Sequence, residues 1–428
     1  MIKKNHYHAD MISVEEACIR ILEVFKPLNI VMLPIQNTVD LVIAVDVISN
    51  IDIPPMDNSS MDGYALIYDD ICEVNSKNSI ELKVIENIKA GSLPEQEIKK
   101  GTASRIMTGA PIPLGSDTVI PFEDTSELTW QINSKSNVIN IMIASEKGSN
   151  IRKAGNDVKY GEKILIKGTI ITPSIVGLLA SLGLDHIEVH RRPKISVIST
   201  GDELLNPGQP SEKGKIFDSN SSALIAHARQ LGAVVDFKGI AEDNESSVIS
   251  KLNDSSDSDL IITSAGVSKG DYDVVKDVLT KKGELNFWSI RMRPAKPLAF
   301  GEIVTDNGNK IPIIGLPGNP VSSLVAFEQF CRPVIHKMLG KTNSDRVIIK
   351  AVLKDSIENY DGRRVYARVV VTCIDGQYIA SSTGNQESNI LTSMAKANGL
   401  AICPEDEISK NPGDEVDVIM IDRPGGIV

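Results

Sequence analysis

The run Ile195-Ser196-Val197-Ile198-Ser199, followed at once by Thr200-Gly201-Asp202-Glu203, decides how the centre of this chain folds. A short apolar, β-branched run ended by a polar loop reads as a buried strand. The chain then alternates. A helix is expected at Ser221–Leu231, ended by Gly232, then a strand at Val234–Ile240 and another at Asp259–Thr263. A helix at Val274–Lys281, a strand at Ile311–Ile314 and one long helix at Pro320–Leu339 complete the series. Strand alternating with helix predicts a doubly wound parallel sheet.

Working outward, residues 13–26 predict a helix. Ser13 is the cap, Glu16 stands three positions on, and Ala17, Ile21, Leu22 and Phe25 form an apolar stripe. The run Leu41–Ile48 fits either a strand or a short helix. Between about 55 and 145, short apolar runs alternate with turns at Glu81–Ile88, Gly101–Met107, Thr118–Phe122 and Val138–Ile143, as in a β-rich module. Thr172-Pro173 opens a second helix that closes at Gly183. Beyond 345 the chain is strand-rich again, at Val347–Leu353, Arg364–Cys373, Gln377–Ser381 and Glu415–Ile421, which suggests a small β-barrel. The expected class is therefore multidomain α/β. A linking domain takes 1–50 and 145–190, an inserted β-rich domain 51–144, the sheet domain 191–344 and the barrel 345–428.

With 428 residues the chain exceeds one ordinary core. A net charge of −11 and an aromatic content of 4% argue against a nucleic-acid platform. Cys18, Cys72, Cys331, Cys373 and Cys403 are scattered and form no CxxC pair, as expected of reduced cytoplasmic thiols. The N-terminus lacks an apolar signal core, and His6 and His8 read as part of a loose tail. No apolar run has the length of a membrane span, so no membrane partner is expected.

The polar loops carry the chemistry. Asp57-Asn58-Ser59-Ser60-Met61-Asp62-Gly63-Tyr64-Ala65 packs two carboxylates, an amide and hydroxyls behind the stiff Ile53-Pro54-Pro55. Thr200–Glu203, Ser264–Asp273 and Leu316-Pro317-Gly318-Asn319-Pro320 follow strands of the predicted sheet. They converge at the carboxyl ends of those strands, where ligands bind. Their glycines let backbone N–H groups approach a phosphate. Glu203, Asp243, Asp271 and Asp273 supply hard oxygen ligands suited to Mg²⁺ beside phosphates. Arg291, Arg293 and Lys296, stiffened by Pro294 and Pro297, suit an oxyanion. Taken singly, such loops are usually plain turns or solvated surface. Their combination at one sheet edge is what points to a site.

The ordered segments DNSSMDGYA, IMTGAPIP, NIRKAGND, STGDEL, AGVSKGDYD, RMRPAKP and GLPGNPVS resemble the MoeA family, the molybdopterin molybdenumtransferases related to the E domain of gephyrin and of its plant counterpart. The resemblance runs from about residue 10 to 423. It implies a Mg²⁺-dependent molybdenum insertase acting on adenylylated molybdopterin, which places molybdate in the dithiolene and releases AMP. It also implies a homodimer whose site lies between one subunit's sheet and its partner's N-terminal region, and a pathway partner, the molybdopterin adenylyltransferase.

Carried over by position, the candidate catalytic residues are Asp62, Thr108, Arg152, Asp157, Glu203, Asp243, Asp273, Arg293 and Lys296. The substrate-binding candidates are Thr200, Gly201, Asp202, Ser219, Ser264, Gly266, Ser268, Gly270, Pro317, Gly318, Asn319, Pro320, Ser322, Arg363 and Ser388. The Mg²⁺ ligands are expected among Glu203, Asp271 and Asp273. Ser322 and Arg363 belong to the implied molybdate pocket. Arg293, Ala265, Ala295 and Asn156 depart from the usual family residues. A tungstate-inserting paralogue and a non-catalytic pterin-binding scaffold remain alternatives.

Overall fold

The structure is a computed structural model and describes residues 11–75, 78–129, 137–264, 277–278, 281, 283–341 and 346–421. Of the expected helix at Val274–Lys281 only Asp277, Val278 and Lys281 are described, all helical, while the histidines of the N-terminal tail and the loop after Ser264 lie outside these residues.

The central sheet has seven strands. Four are parallel, in the order Lys310–Leu316, Leu260–Ser264, Lys194–Thr200, Val234–Ala241. Ile195, Val197 and Ile198 are buried, as a strand covered on both faces requires. The helix Ser219–Gln230 packs on one face and belongs to the main core, with Leu224 and Ala228. The helix Glu245–Asn253 packs on the other, with Val248 and Leu252 against Ile198 and Ile261.

The sheet continues past Lys310–Leu316 as an antiparallel hairpin, Gly283–Ile290 with Pro297–Val304, and ends in Met11–Ile12. This hairpin was not anticipated, because its outer strand alternates half-buried and exposed residues and so lacks a continuous apolar run.

The first helix spans Val14–Val24. The Ser13 hydroxyl accepts from the Glu16 N–H at 3.1 Å, while Ala17 and Ile21 are fully buried. Leu41–Ile48 resolves into isolated bridges at Val42 and Ile43 and a two-residue strand, Val47–Ile48. Three antiparallel ribbons follow one another. Ile30–Pro34 pairs with His186–His190, Val47–Ile48 with Lys163–Leu165, and Asn58–Ser59 with Ile151–Arg152. They lead to a five-stranded sheet ordered Thr118–Pro121, Gly63–Leu66, Thr102–Ile106, Ile80–Ile88, Val138–Ile141. Gly63 is fixed by close approach: a Cβ there would lie 2.0 Å from the Ile120 carbonyl oxygen.

The C-terminal strands close a barrel. Their order is Arg364–Ile374, Gln377–Ser382, Ile348–Leu353, Glu415–Met420, Gly399–Cys403 and back to Arg364–Ile374. Its core is mainly valine and alanine, including Val369, Val371, Ala380, Ala401 and Val418, which fit the tight interior of a small barrel. Met292–Arg293 pairs in parallel with Arg364 and Val365, stitching the basic loop to the barrel wall.

The expected single helix at Pro320–Leu339 is interrupted. Pro320–Ala326 and Arg332–Met338 are α-helical, with one π-helical turn, Phe327–Cys331, between them. Pro333 lacks the N–H that would bond four residues back, so the ladder opens before it. Side chains take up carbonyls of the wide turn: Arg346 Nη2 donates to the Glu328 oxygen. Glu328 is 1% exposed and accepts from Arg332 Nε at 2.6 Å and Nη2 at 3.0 Å, with His227 Nδ1 at 3.3 Å. Burial alone would raise its carboxyl. His227 and Arg332 prevail and hold it at about 2.

Candidate functional site

The N-terminal loops come together as one cluster. Asp62 accepts from both the Thr108 N–H and the Thr108 hydroxyl at 2.7 Å, and these two bonds hold its carboxyl below the usual range. Asp57 accepts from Lys153 Nζ at 2.7 Å and from the Ala154 N–H at 2.9 Å. Its carboxyl is also held low, first by Lys153 and then by Ala154. Arg152 lies opposite Asn58 in the short ribbon, and the Asp157 N–H donates to Ile53 O. Behind the cluster, Glu127 accepts from the Tyr64 hydroxyl at 2.7 Å and from Arg105 Nη2 at 2.6 Å. That staple fixes the strands from which Asp62 and Thr108 project. Arg152 and Asp157 are exposed and make no side-chain hydrogen bond among the described residues.

At the carboxyl edge of the central sheet, the Thr200 hydroxyl donates to Ser264 O at 3.4 Å. Gly201 has φ +143°, in the region that favours glycine, and the Glu203 carboxylate folds over it, 2.3 Å from where a Cβ would stand. Asp202 and Asp243 clamp each other. The Asp202 N–H donates to Asp243 Oδ2 at 3.4 Å, and the Asp243 N–H to Asp202 Oδ1 at 3.1 Å. Asp218 caps the helix that begins at Ser219, accepting from the Ser221 N–H at 3.0 Å.

Asn220, not anticipated from sequence, joins two loops. Its Nδ2 donates to Ser264 Oγ and to Gly318 O, both at 2.7 Å. Only its place one residue beyond the candidate Ser219 could have flagged it. Gly266, Ser268, Gly270, Asp271 and Asp273 lie outside the described residues.

The Pro317–Pro320 loop connects this edge to a cavity of about 710 Å³ between the basic loop and the barrel. Asn319 Nδ2 donates to Ser388 Oγ at 3.0 Å, and the Val321 N–H to Ser388 O at 3.1 Å. Arg293, Ser322, Arg363, Arg368 and Ser388 all line the cavity. Arg293 stacks on Tyr360, 4.2 Å from the ring centroid, and its Nη1 is buried without a hydrogen-bond partner. Ala295, beside it, adopts φ +76°. Arg368 is 1% exposed. Burial brings its guanidinium down to about 10, and it donates to Ser393 Oγ and to the carbonyls of Asn385 and Glu387. Lys296 makes no ion pair among the described residues.

The structure therefore links the sheet-edge candidates to the barrel-side candidates by hydrogen bonds through Asn220, Gly318, Asn319 and Ser388. It does not link Asp62, Thr108, Arg152 or Asp157 to them: among the described residues, none of their bonds reaches the central sheet or the barrel.

Three family models cover most of the chain. The MoeA N-terminal region (domain I and II) matches residues 12–183, the probable molybdopterin binding domain 196–337, and the MoeA C-terminal region (domain IV) 350–421. Molybdopterin molybdenumtransferase 2 of Mycobacterium tuberculosis strain H37Rv is 36% identical over 415 residues, spanning 95% of this chain and 99% of that protein. The molybdopterin molybdenumtransferase of Haemophilus influenzae is 34% identical over 95% of this chain and 98% of its own length. The crystal structure of a molybdopterin biosynthesis MoeA protein from Pyrococcus horikoshii OT3 superposes with a TM-score of 0.77 at 29% identity, covering 96% of this chain and 100% of that one.

Proposed function

The chain belongs to the MoeA family of molybdopterin molybdenumtransferases, and from that premise we propose that it inserts molybdenum into molybdopterin during cofactor biosynthesis, taking adenylylated molybdopterin and molybdate and releasing AMP. The observation that carries this reading is the bonded path Ser264–Asn220–Gly318 and Asn319–Ser388. It joins a phosphate-type loop edge to a cavity lined by cations. A nucleotide-linked substrate needs the first, and a tetrahedral dianion needs the second.

In this reading the sheet-edge loops around Thr200, Gly201, Asp202 and Ser264 hold the phosphate end, and Asn220 keeps their spacing. Arg293, Lys296, Arg363, Ser322 and Ser388 receive the oxyanion. Arg293 and Arg363 supply the guanidinium groups of the cavity wall. Sulfur ligands for the metal come from the dithiolene, so the protein supplies no thiolate.

Of the proposed Mg²⁺ ligands only Glu203 falls among the described residues, and its carboxylate suits the ion. Glu203 is exposed, and its carboxylate makes no hydrogen bond among the described residues, so its oxygens are free. Mg²⁺ commonly takes one or two carboxylates plus phosphate and water. Glu203, with Asp271 and Asp273, would hold the ion, which when bound neutralises charge on the phosphoryl group.

The N-terminal cluster acts from a second copy. Asp62, Thr108, Arg152 and Asp157 are exposed and unconnected to the crevice of their own chain. The exposed apolar side chains Ile19, Ile30, Met32, Ile48 and Ile166 lie on other elements of the N-terminal region and supply apolar surface for a homodimer contact. The proposed setting is cytoplasmic, and the proposed supplier of substrate is an adenylyltransferase.

The test is AMP release from adenylylated molybdopterin with Mg²⁺, with molybdate, tungstate or neither. Oxyanion-stimulated AMP release coupled to formation of active cofactor is expected. Tight pterin binding without AMP release under any oxyanion overturns the reading.

A further inference from the structure

Behind the wall of the oxyanion cavity stands a residue that the sequence motifs do not single out. Asp361 sits in the turn Glu358–Arg363, behind the two guanidinium groups of the wall. Its Oδ2 accepts from Arg363 Nε at 2.8 Å and also from Arg363 Nη2. The same Oδ2 lies 3.8 Å from Arg293 Nη1. Its Oδ1 is 3.4 Å from the Arg363 N–H, which closes the turn on itself. One carboxylate oxygen thus faces two cations carried by different parts of the fold. Arg293 comes from the basic loop of the sheet and Arg363 from the approach to the barrel.

The geometry assigns Asp361 the role of positioning residue for the oxyanion, and this rests on the function proposed above. Two guanidiniums side by side repel each other unless an anion lies between them. Asp361 supplies that anion from behind, before any substrate arrives. It uses the Nε edge of Arg363, while Arg363 Nη1 reaches the Met292 carbonyl at 3.3 Å. Arg293 is held on its other sides by the Tyr360 ring and by the Glu358 carbonyl, which takes Nη2. Arg293 Nη1 makes no hydrogen bond, and the anion it faces is Asp361 Oδ2 at 3.8 Å. The pocket is therefore set for an anion with its donors already in place, and the binding energy is not spent on bringing them together.

The experiment uses the full-length protein and molybdate as the probe. Binding of molybdate is measured by equilibrium dialysis in the presence of pterin substrate. AMP release is titrated with molybdate and, separately, with adenylylated molybdopterin. Asp361→Asn keeps the size and removes the charge. It is expected to weaken molybdate affinity about tenfold, the usual scale for losing the group that orients a ligand. The KM for adenylylated molybdopterin and the rate at saturating molybdate should stay within a few-fold of wild type. Asp361→Glu should recover most of the lost affinity. An unchanged molybdate affinity in Asp361→Asn overturns the assignment, as does an equal loss for both substrates. If that variant loses its cooperative unfolding transition, Asp361→Ser replaces it under the same criteria. A wild-type protein with no oxyanion dependence at all sinks the proposed function itself, an outcome separable from failure of Asp361 alone.

Discussion

The N-terminal loop cluster and the sheet–barrel cavity are built on opposite plans. The cluster is open and anionic: Asp57 and Asp62 are held by short, exposed bonds to Lys153, Ala154 and Thr108. The cavity is partly enclosed and carries both signs: Arg293, Arg363 and Arg368, gripped by an aromatic ring, a single carboxylate and backbone carbonyls, share its lining with Asp355, Glu358 and Glu387. An exposed ion pair contributes little to stability, so the cluster's carboxylates are not there to hold the fold. Arg368, a buried guanidinium without a facing carboxylate, is held instead by Ser393 Oγ and the carbonyls of Asn385 and Glu387.

The sharpest way to break that comparison is to disable the two regions in different chains. Asp62→Ala and Glu203→Ala should each fold normally and each be inactive. Mixed under conditions that allow subunits to exchange, they should regain about a quarter of wild-type activity, because half the dimers are mixed and each carries one intact composite site. No recovery would mean that both regions serve one chain's own site.

The next largest effect is structural. Glu328→Ala leaves Arg332, His227 and Arg346 without their central anion, and roughly 3–5 kcal/mol of stability should be lost. Thermal or denaturant unfolding reads this directly. The same change at Asp57, an exposed carboxylate, should stay within about 0.5 kcal/mol of wild type.

Acid should unfold the protein through its interior before it affects the cluster. Burial lowers His336 to about 4, so the unfolded chain takes that proton first. Stability is full above the ordinary histidine value of 6.5 and falls as pH drops toward about 4. Glu328, depressed to about 2, adds a second loss from its ordinary 4.5 downward. The midpoint of thermal unfolding, followed from pH 7 to pH 4, should fall more steeply in wild type than in His336→Leu.

The smallest effect concerns Ala295. Its φ of +76° costs an alanine about 1 kcal/mol, against which its buried methyl gains a similar amount. Ala295→Gly should therefore shift stability by less than about 1 kcal/mol, checked by chemical denaturation.

Much of the fold could be read from residues with strong local rules. Ser13 with Glu16 and Thr172 with Pro173 marked helix starts that the hydrogen bonds bear out. The β-branched runs marked the parallel strands. Leu41–Ile48 could not be resolved, because an apolar run broken only by Asp46 carries no clear period. The π-helical turn was not legible either, because Pro333 near a helix start is ordinarily harmless and the disruption depends on where the preceding helix began. Within the site, loops with glycine and proline punctuation drew notice. Asn220 and Asp361 did not: an asparagine inside a helix and an aspartate in a turn are common, and only tertiary structure shows what they hold.

The parallel pairing of Met292–Arg293 with Arg364–Val365 has a consequence for how such a chain could arise. In the proposed function the nucleotide grip belongs to the sheet, while the oxyanion pocket forms where the basic loop is stitched to the barrel. Gripping the pterin and capturing the metal are therefore separable in inheritance. A sheet module without the barrel could still hold a nucleotide-linked ligand, and acquiring the barrel at that one seam would add the second half of the chemistry.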